Sequence, residues 1–346
     1  MQSPLRRSGT LVAVPAVLPV LATDLRYIPI NRNFGATEIG AVPTVMLVGV
    51  LVLYLWGVRH FNANHDERWS GWRTAAFVAG LAVTAVAIES FIGAYDDVVF
   101  FDHMIQHLML VMVAGPLLAL GAPLDLADRG TTGGVHQAVR SVLGSRVAEF
   151  IGHPIVAFLL YAILIPVTHL TNLYNLTLTN DLMHDTEHLA FVVVGYLFWR
   201  PVVGIEPSRH PLIIPMRLVY LFFAVPIDTF TGVALVSTGH ELFPYYLTFH
   251  RGWGPSLVDD LHIGGTIMWV FGDSLMGLAM VPVVMQWFRD EDRRTAVLDA
   301  ELDAELARQA AAGAHQGGPP GTGGGRPDGQ ARVPPDARPG PASNAS

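Results

Sequence analysis

Seven apolar stretches dominate this sequence, at residues 40–58, 74–93, 104–122, 150–169, 188–203, 212–236 and 263–288. Each is of the order needed to cross a bilayer as a helix, about 20 residues; the fifth is short and is expected to begin a few residues earlier. Inside a bilayer every backbone polar group must be satisfied within the protein, which a helix does by itself. The expected class is therefore all-α: a polytopic membrane protein with one seven-helix transmembrane domain over residues 40–288. Only 14% of the residues are charged, against about a quarter in soluble domains, and mean hydropathy is +0.40. That balance argues against a soluble enzyme, a disulfide scaffold or a nucleic-acid partner; the expected surroundings are lipid. There is no cysteine, so a bound metal would need imidazole, thioether, carboxylate or backbone ligands.

Arginine placement sets the expected orientation. The first connection holds Arg59, Arg68 and Arg73, the third Arg129, Arg140 and Arg146, the fifth region Arg200, Arg209 and Arg217, and the exit of the last span Arg289, Arg293 and Arg294. The second and fourth connections have no basic residue and the sixth has only Arg251. This puts the N-terminus outside and the C-terminus in the cytoplasm. Residues 1–39 are then an extracytoplasmic segment. Within it, Arg6 and Arg7 precede an apolar run of signal-peptide length that ends at a cleavage-like Val20-Leu21-Ala22. A signal peptide over 1–22 is one reading, and an uncleaved segment on the membrane surface is the other. Residues 289–312 are expected to extend the last helix into the cytoplasm, with Leu298, Leu302 and Leu306 spaced by four. Residues 313–346, rich in Gly, Pro and Ala, are expected to be disordered.

The histidines carry the chemistry. Of 14 in the chain, His103, His107, His169, His184, His188, His240, His250 and His262 fall at the outer ends of spans or in outer connections. His103 and His107 open the third span and His184 and His188 the fifth, both four apart, which puts each pair on one helix face. A pair from each of two helices could close a four-nitrogen site; plain interfacial anchoring is the alternative. Imidazoles suit copper, zinc, iron or nickel, and thioethers favour Cu(I); Met104, Met109, Met112 and Met183 are candidate sulfurs. Asp102 and Asp185 are placed to orient the rings, whereas Asp96 and Asp97 read most simply as solvated loop acids.

Asp228 and Asp273 fall near mid-membrane, where a carboxylate costs about 3 kcal/mol to insert and suggests a relay. A protonated acid bonded to a neighbouring helix is the alternative for each. Gly232, Gly239, Gly264, Gly265 and Gly272 read as close helix contacts, and Pro116, Pro166, Pro226 and Pro282 as kinks. The sequence contains no phosphate-binding Gly loop, nucleophile elbow or HExxH motif.

Taken in order, several segments make a recognisable set. They are Tyr95-Asp96-Asp97 followed by His103-Met104-Ile105-Gln106-His107-Leu108, then 115–123, then His184 through His188 followed by 195–204, and finally 253–256 and 264–269. Over about residues 40–294 the chain resembles the CtaG family of bacterial cytochrome c oxidase assembly factors, of the seven-span type. The resemblance implies a non-enzymatic plasma-membrane factor that helps form active haem-copper oxidase by delivering copper, held transiently, to the catalytic subunit. Its partners would be oxidase subunits and an extracytoplasmic copper donor. By motif position, His103, His107, His184 and His188 are the metal-binding candidates. His240 on the same face joins them with its role open, as are those of His169, His250 and His262. A delivery site at the outer mouth is expected to bind without being buried. Haem ligation by one histidine of each pair, metal or proton transport through Asp228 and Asp273, and a metal-free scaffold are the competing readings.

Overall fold

The structure is a computed structural model and describes residues 28–30, 33–248 and 250–316. All regular structure among them is helical. The principal helices are α1 (Ala41–Asn64), α2 (Gly71–Glu89), α3, α4 (Pro154–Leu170), α5 (Asp181–Val203), α6 (Ile214–Val236) and α7. α3 runs through Phe100–Leu108, a π-helical stretch Met109–Ala114, and Gly115–Leu120. α7 runs through Leu257–Thr266, a second π stretch Ile267–Phe271, and Gly272–Gln316. Five of these regions, α1, α2, α3, α6 and α7, are long and apolar enough to cross a membrane; α4 is a shorter apolar helix. The 23 residues of α5 include Asp181, Asp185, Glu187 and Arg200, which lower its hydropathy. With α1 displaying Val45, Val48, Val52, Leu53 and Trp56 on its exterior, the protein is a multi-pass membrane protein.

The chain divides into two units after Arg289. In the second, the described residues 290–316 are helical, four residues beyond the expected end at 312, and Leu298, Leu302 and Leu306 are exposed. The signal-peptide reading of 1–22 and residues 317–346 of the expected disordered tail lie outside the described residues.

In the first unit α3 is the central helix, packed against α2, α5 and α7, while α4 bridges α5 and α6 and α1 lies against α2. Glycine permits the closest approach. A Cβ on Gly115 of α3 would lie 2.9 Å from the backbone of Gly195 on α5, and one on Gly195 would lie 3.0 Å from the Val111 Cα. Gly232 and Gly265 bring α6 against α7 in the same way. Gly239, read from sequence as another contact, meets nothing within 4 Å, because it follows the end of α6 and faces no helix. The π stretch of α3 removes Val111 O from the regular ladder, and Trp199 Nε1 donates to it at 2.8 Å. Trp199→Phe is expected to leave that buried carbonyl unpaired and to destabilise the fold by about 1–3 kcal/mol, read as a lower thermal midpoint in detergent.

Local signals set the start and end of the two helices that matter most. Asn180 caps α5, its side chain accepting from Met183 N at 3.1 Å. Gly204 ends it at φ 63, a left-handed conformation that glycine adopts without steric cost. α3 has no such cap of its own. Asp260, from α7, accepts from Phe100 N at 3.1 Å and Phe101 N at 3.0 Å. At the opposite end of the bundle Glu206, between α5 and α6, is buried and accepts from Leu124 N, Tyr196 Oη and Arg200 Nε. Burial pushes its carboxyl above the usual range, opposed by these three partners.

Candidate metal centre

His103 and His107 stand one turn apart on α3 with ring centroids 3.9 Å apart, and His184 and His188 repeat the arrangement on α5 at 4.4 Å. α3 and α5 are neighbours, so the pairs face one another, His103 to His184 at 6.2 Å and His107 to His188 at 6.5 Å. A fifth ring, His169 at the end of α4, brings Nε2 to 3.1 Å from His107 Nδ1. Its own Nδ1 lies 2.7 Å from Ile165 O. A carbonyl accepts only from N–H, so Nδ1 carries the proton and Nε2 offers a lone pair.

Two carboxylates complete the group. Asp96, between α2 and α3, places Oδ2 at 3.0 Å from His184 Nε2 and 3.5 Å from His188 Nε2. Burial works to raise the Asp96 carboxyl, but His184 and His188 outweigh it and hold it well below the usual carboxylate range. Glu187, on the turn of α5 between the two histidines, has Oε1 at 3.8 Å from both His103 Nε2 and His107 Nε2. Gln106 ties the halves together: its amide donates to Asp96 Oδ2 at 2.9 Å and to Ala87 O at 3.0 Å, while its Oε1 lies 2.8 Å from His188 Nε2.

All five rings are at most 5% exposed. Among the described residues, both ring nitrogens of His103, Nε2 of His107, Nδ1 of His188 and Oδ1 of Asp96 are buried without a hydrogen-bond partner. Unpaired buried polar atoms are costly, and so many imidazole nitrogens turned on one another suit a metal cation, which uses lone pairs that no N–H occupies. The donors fall into two sets, His103, His107 and His169 in one and Asp96, His184 and His188 in the other; within each, the ligand atoms lie within 4.8 Å of one another.

The family model of cytochrome c oxidase caa3 assembly factors, Caa3_CtaG, matches residues 52–290. The chain belongs to this family. Uncharacterized proteins of Mycobacterium bovis and Mycobacterium tuberculosis are each 31% identical to it over 266 residues, 75% of this chain and 39% of theirs. One of Mycobacterium leprae is 28% identical over 267 residues, 75% of this chain and 40% of its own. The chain thus spans about two fifths of the length of these curated relatives. No solved structure matches it.

The centre of this CtaG-family chain differs from the sequence-based expectation in specific ways. It is buried where an open mouth is expected. Tyr174, Phe243 and Tyr246 from the fourth and sixth connections close over it, with Tyr174 packed on His103 at 4.3 Å and hydrogen-bonded to Tyr246 at 2.6 Å. The acids that reach the rings are Asp96 and Glu187. Asp102 is buried near Asp96 and Asp260, and Asp185 is half-buried. Asp96, read from sequence as a solvated loop acid, is 1% exposed, because the short Phe91–Tyr95 helix folds the connection inward. Its neighbour Asp97 meets Tyr245 Oη at 3.3 Å.

His240 is exposed beyond α6 and stands apart from both donor sets, as does His250. His262 Nε2 is bonded to Thr238 O at 2.7 Å. Met183 is exposed, whereas Met104 and Met112 line a small cavity with Met268, His107, His169 and Asp228. Asp228 accepts from Tyr161 Oη at 2.6 Å, and Asp273 accepts from Thr229 Oγ1 at 2.7 Å. His169 and Glu187 had one legible signal: they lie at the same level of the chain's topology as the paired histidines.

Proposed function

We propose that this protein is a bacterial plasma-membrane assembly factor for haem-copper cytochrome c oxidase, and that it carries copper as cargo in the histidine centre and passes it to the oxidase catalytic subunit. Seven spans, with the N-terminus outside and the C-terminus in the cytoplasm, belong to this reading. Its support is the alternation of arginine-rich and arginine-free connections, with the shorter α4 and the charged α5 completing the count inside the bundle. The observation that carries the copper assignment is the convergence of five buried imidazoles, three of which, His103, His107 and His188, hold ring nitrogens without a hydrogen-bond partner. The donor chemistry is rich in nitrogen, and Met104 is adjacent, which favours copper over hard cations.

The protein has no catalytic role in this reading. Copper arrives from a donor outside the cytoplasm, and the Tyr174, Phe243 and Tyr246 cover must move to admit it. The haem alternative is weakened by the packing: Phe191 stacks on His107 at 3.7 Å and Tyr174 lies tilted against His103 at 4.3 Å, leaving side chains where a macrocycle would lie. Asp228 and Asp273 each have a hydroxyl partner, as expected of acids that lock helices together.

Disrupting the gene tests the proposal. The expected result is oxidase that lacks copper and activity, restored by the wild-type chain and partly restored by added copper in the medium. Failure of copper to restore any activity, with oxidase subunits unassembled, would instead support the metal-free scaffold. Oxidase with normal copper and activity in the disrupted strain would overturn the assembly role.

A further inference from the structure

The two donor sets point to more than one ion, an inference that rests on the copper reading above. We infer that the centre holds two cations side by side, one on His103, His107 and His169 and the other on Asp96, His184 and His188, with the Glu187 carboxylate between them.

Three observations carry this. The first is donor number. Five imidazoles and two carboxylates converge, whereas copper or zinc in a nitrogen-rich site takes about four ligands, so one ion leaves several buried donors unused. The second is spacing. Within each set the ligand atoms lie within 4.8 Å of one another, while the rings of the facing pairs across the two helices are 6.2 and 6.5 Å apart. Each set has its own third ligand from a different element, His169 from the end of α4 and Asp96 from the connection before α3. The positions of those two ligands draw the sets apart: His169 is 3.1 Å from His107, and Asp96 is 3.0 Å from His184.

The third observation is charge. Asp96 and Glu187 are buried carboxylates, and the basic side chains beside them are histidines. Arg251, the one buried arginine on this side among the described residues, is paired with Asp260 at 2.8 Å. Buried charges are paired or bind metal, and two monovalent cations would match two carboxylates. Glu187 is carried by α5, the helix of the second set, yet its oxygen reaches the histidines of the first. That is the placement of a ligand shared between neighbouring ions. The two sites differ in kind. The all-nitrogen set lies beside the cavity lined by Met104, Met112 and Met268 and suits Cu(I), and the set with a carboxylate tolerates Cu(II) or Zn(II) as well.

The test is metal stoichiometry of the full chain purified in detergent and loaded anaerobically with Cu(I). Wild type is expected to hold two copper ions per chain, and His169→Ala and Asp96→Asn one each. His169→Gln, which keeps most of the side-chain volume, should match His169→Ala, with unfolding profiles recorded for every variant. One copper in wild type, lost altogether in either single variant, would overturn the two-ion centre and leave the copper-delivery reading intact. No copper in folded wild type would sink both. A second readout is the Cu(II) spectrum of wild type loaded with two equivalents. Magnetic coupling between neighbouring ions is expected to reduce its integrated spin signal below the copper content, with a full, uncoupled signal for the single ion held by His169→Gln. Two uncoupled ions in wild type would count against adjacency and overturn the shared Glu187.

Discussion

Alanine at His103, His107, His184 and His188 together is expected to abolish copper retention. The loss should be at least about 100-fold in affinity, since even a single outer partner of a metal ligand is worth 10–100-fold and this change removes four donors. The variant should still fold. The deleted rings of His103, His107 and His188 hold buried nitrogens without partners, so removing them relieves part of the burial penalty, against the cavities opened and the histidine neighbours that Asp96 loses. Copper content after anaerobic loading, with a thermal melt beside it, separates these effects. An equal, low copper content in wild type and variant would remove the histidine centre from the mechanism. Asp228→Asn serves as the contrast: Asp228 bonds Tyr161 and lies across the small cavity from the rings, and the variant should retain its copper.

Asp260→Ala is expected to be the most destabilising single change, at about 3–5 kcal/mol, the usual effect of removing one partner of a buried ion pair. Asp260 is 1% exposed and pairs with Arg251, whose side chain is 3% exposed. The same carboxylate accepts from the first two backbone N–H groups of α3, and a helix start buried without an acceptor carries a further penalty. Because His103 lies on that first turn, weaker copper binding should accompany the lower melting point. Replacing both Arg251 and Asp260 with Leu should recover part of the stability, because no buried charge then remains. A melting point for Asp260→Ala within a degree or two of wild type would show that the pair contributes little.

The other predictions scale with what each residue holds. Trp199→Phe removes one hydrogen bond and should act on stability alone, while His169→Gln and Asp96→Asn should act on metal content with less effect on the fold. Comparing the two kinds of variant tells apart a residue that supports α3 from one that binds.

How much was legible in the sequence varies with the distance over which each feature acts. Helical class, membrane residence, and the pairing of His103 with His107 and of His184 with His188 follow from spacing within a single helix. Hydrophobic length and the 3.6-residue period are local properties. The seven segments expected to be apolar all contain helices, and the motif order led to the family that the comparison shows. Gln106 sat inside a quoted motif, yet its role as a clamp between Asp96 and His188 could not be read from its neighbours.

Only the tertiary structure decided the rest. It brought α3 against α5 at Gly115 and Gly195, added His169, and turned Asp96 inward from a connection that reads as solvated. It buried the centre under Tyr174, Phe243 and Tyr246 where an open mouth was expected, and left His240 outside. The physical reason is that these outcomes depend on which helix faces are adjacent. That choice is set by packing between segments 60 to 160 residues apart, as in the bonds from His107 to His169 and from Asp260 to Phe100. Helix periodicity tells which residues share a face; it carries no record of what that face meets.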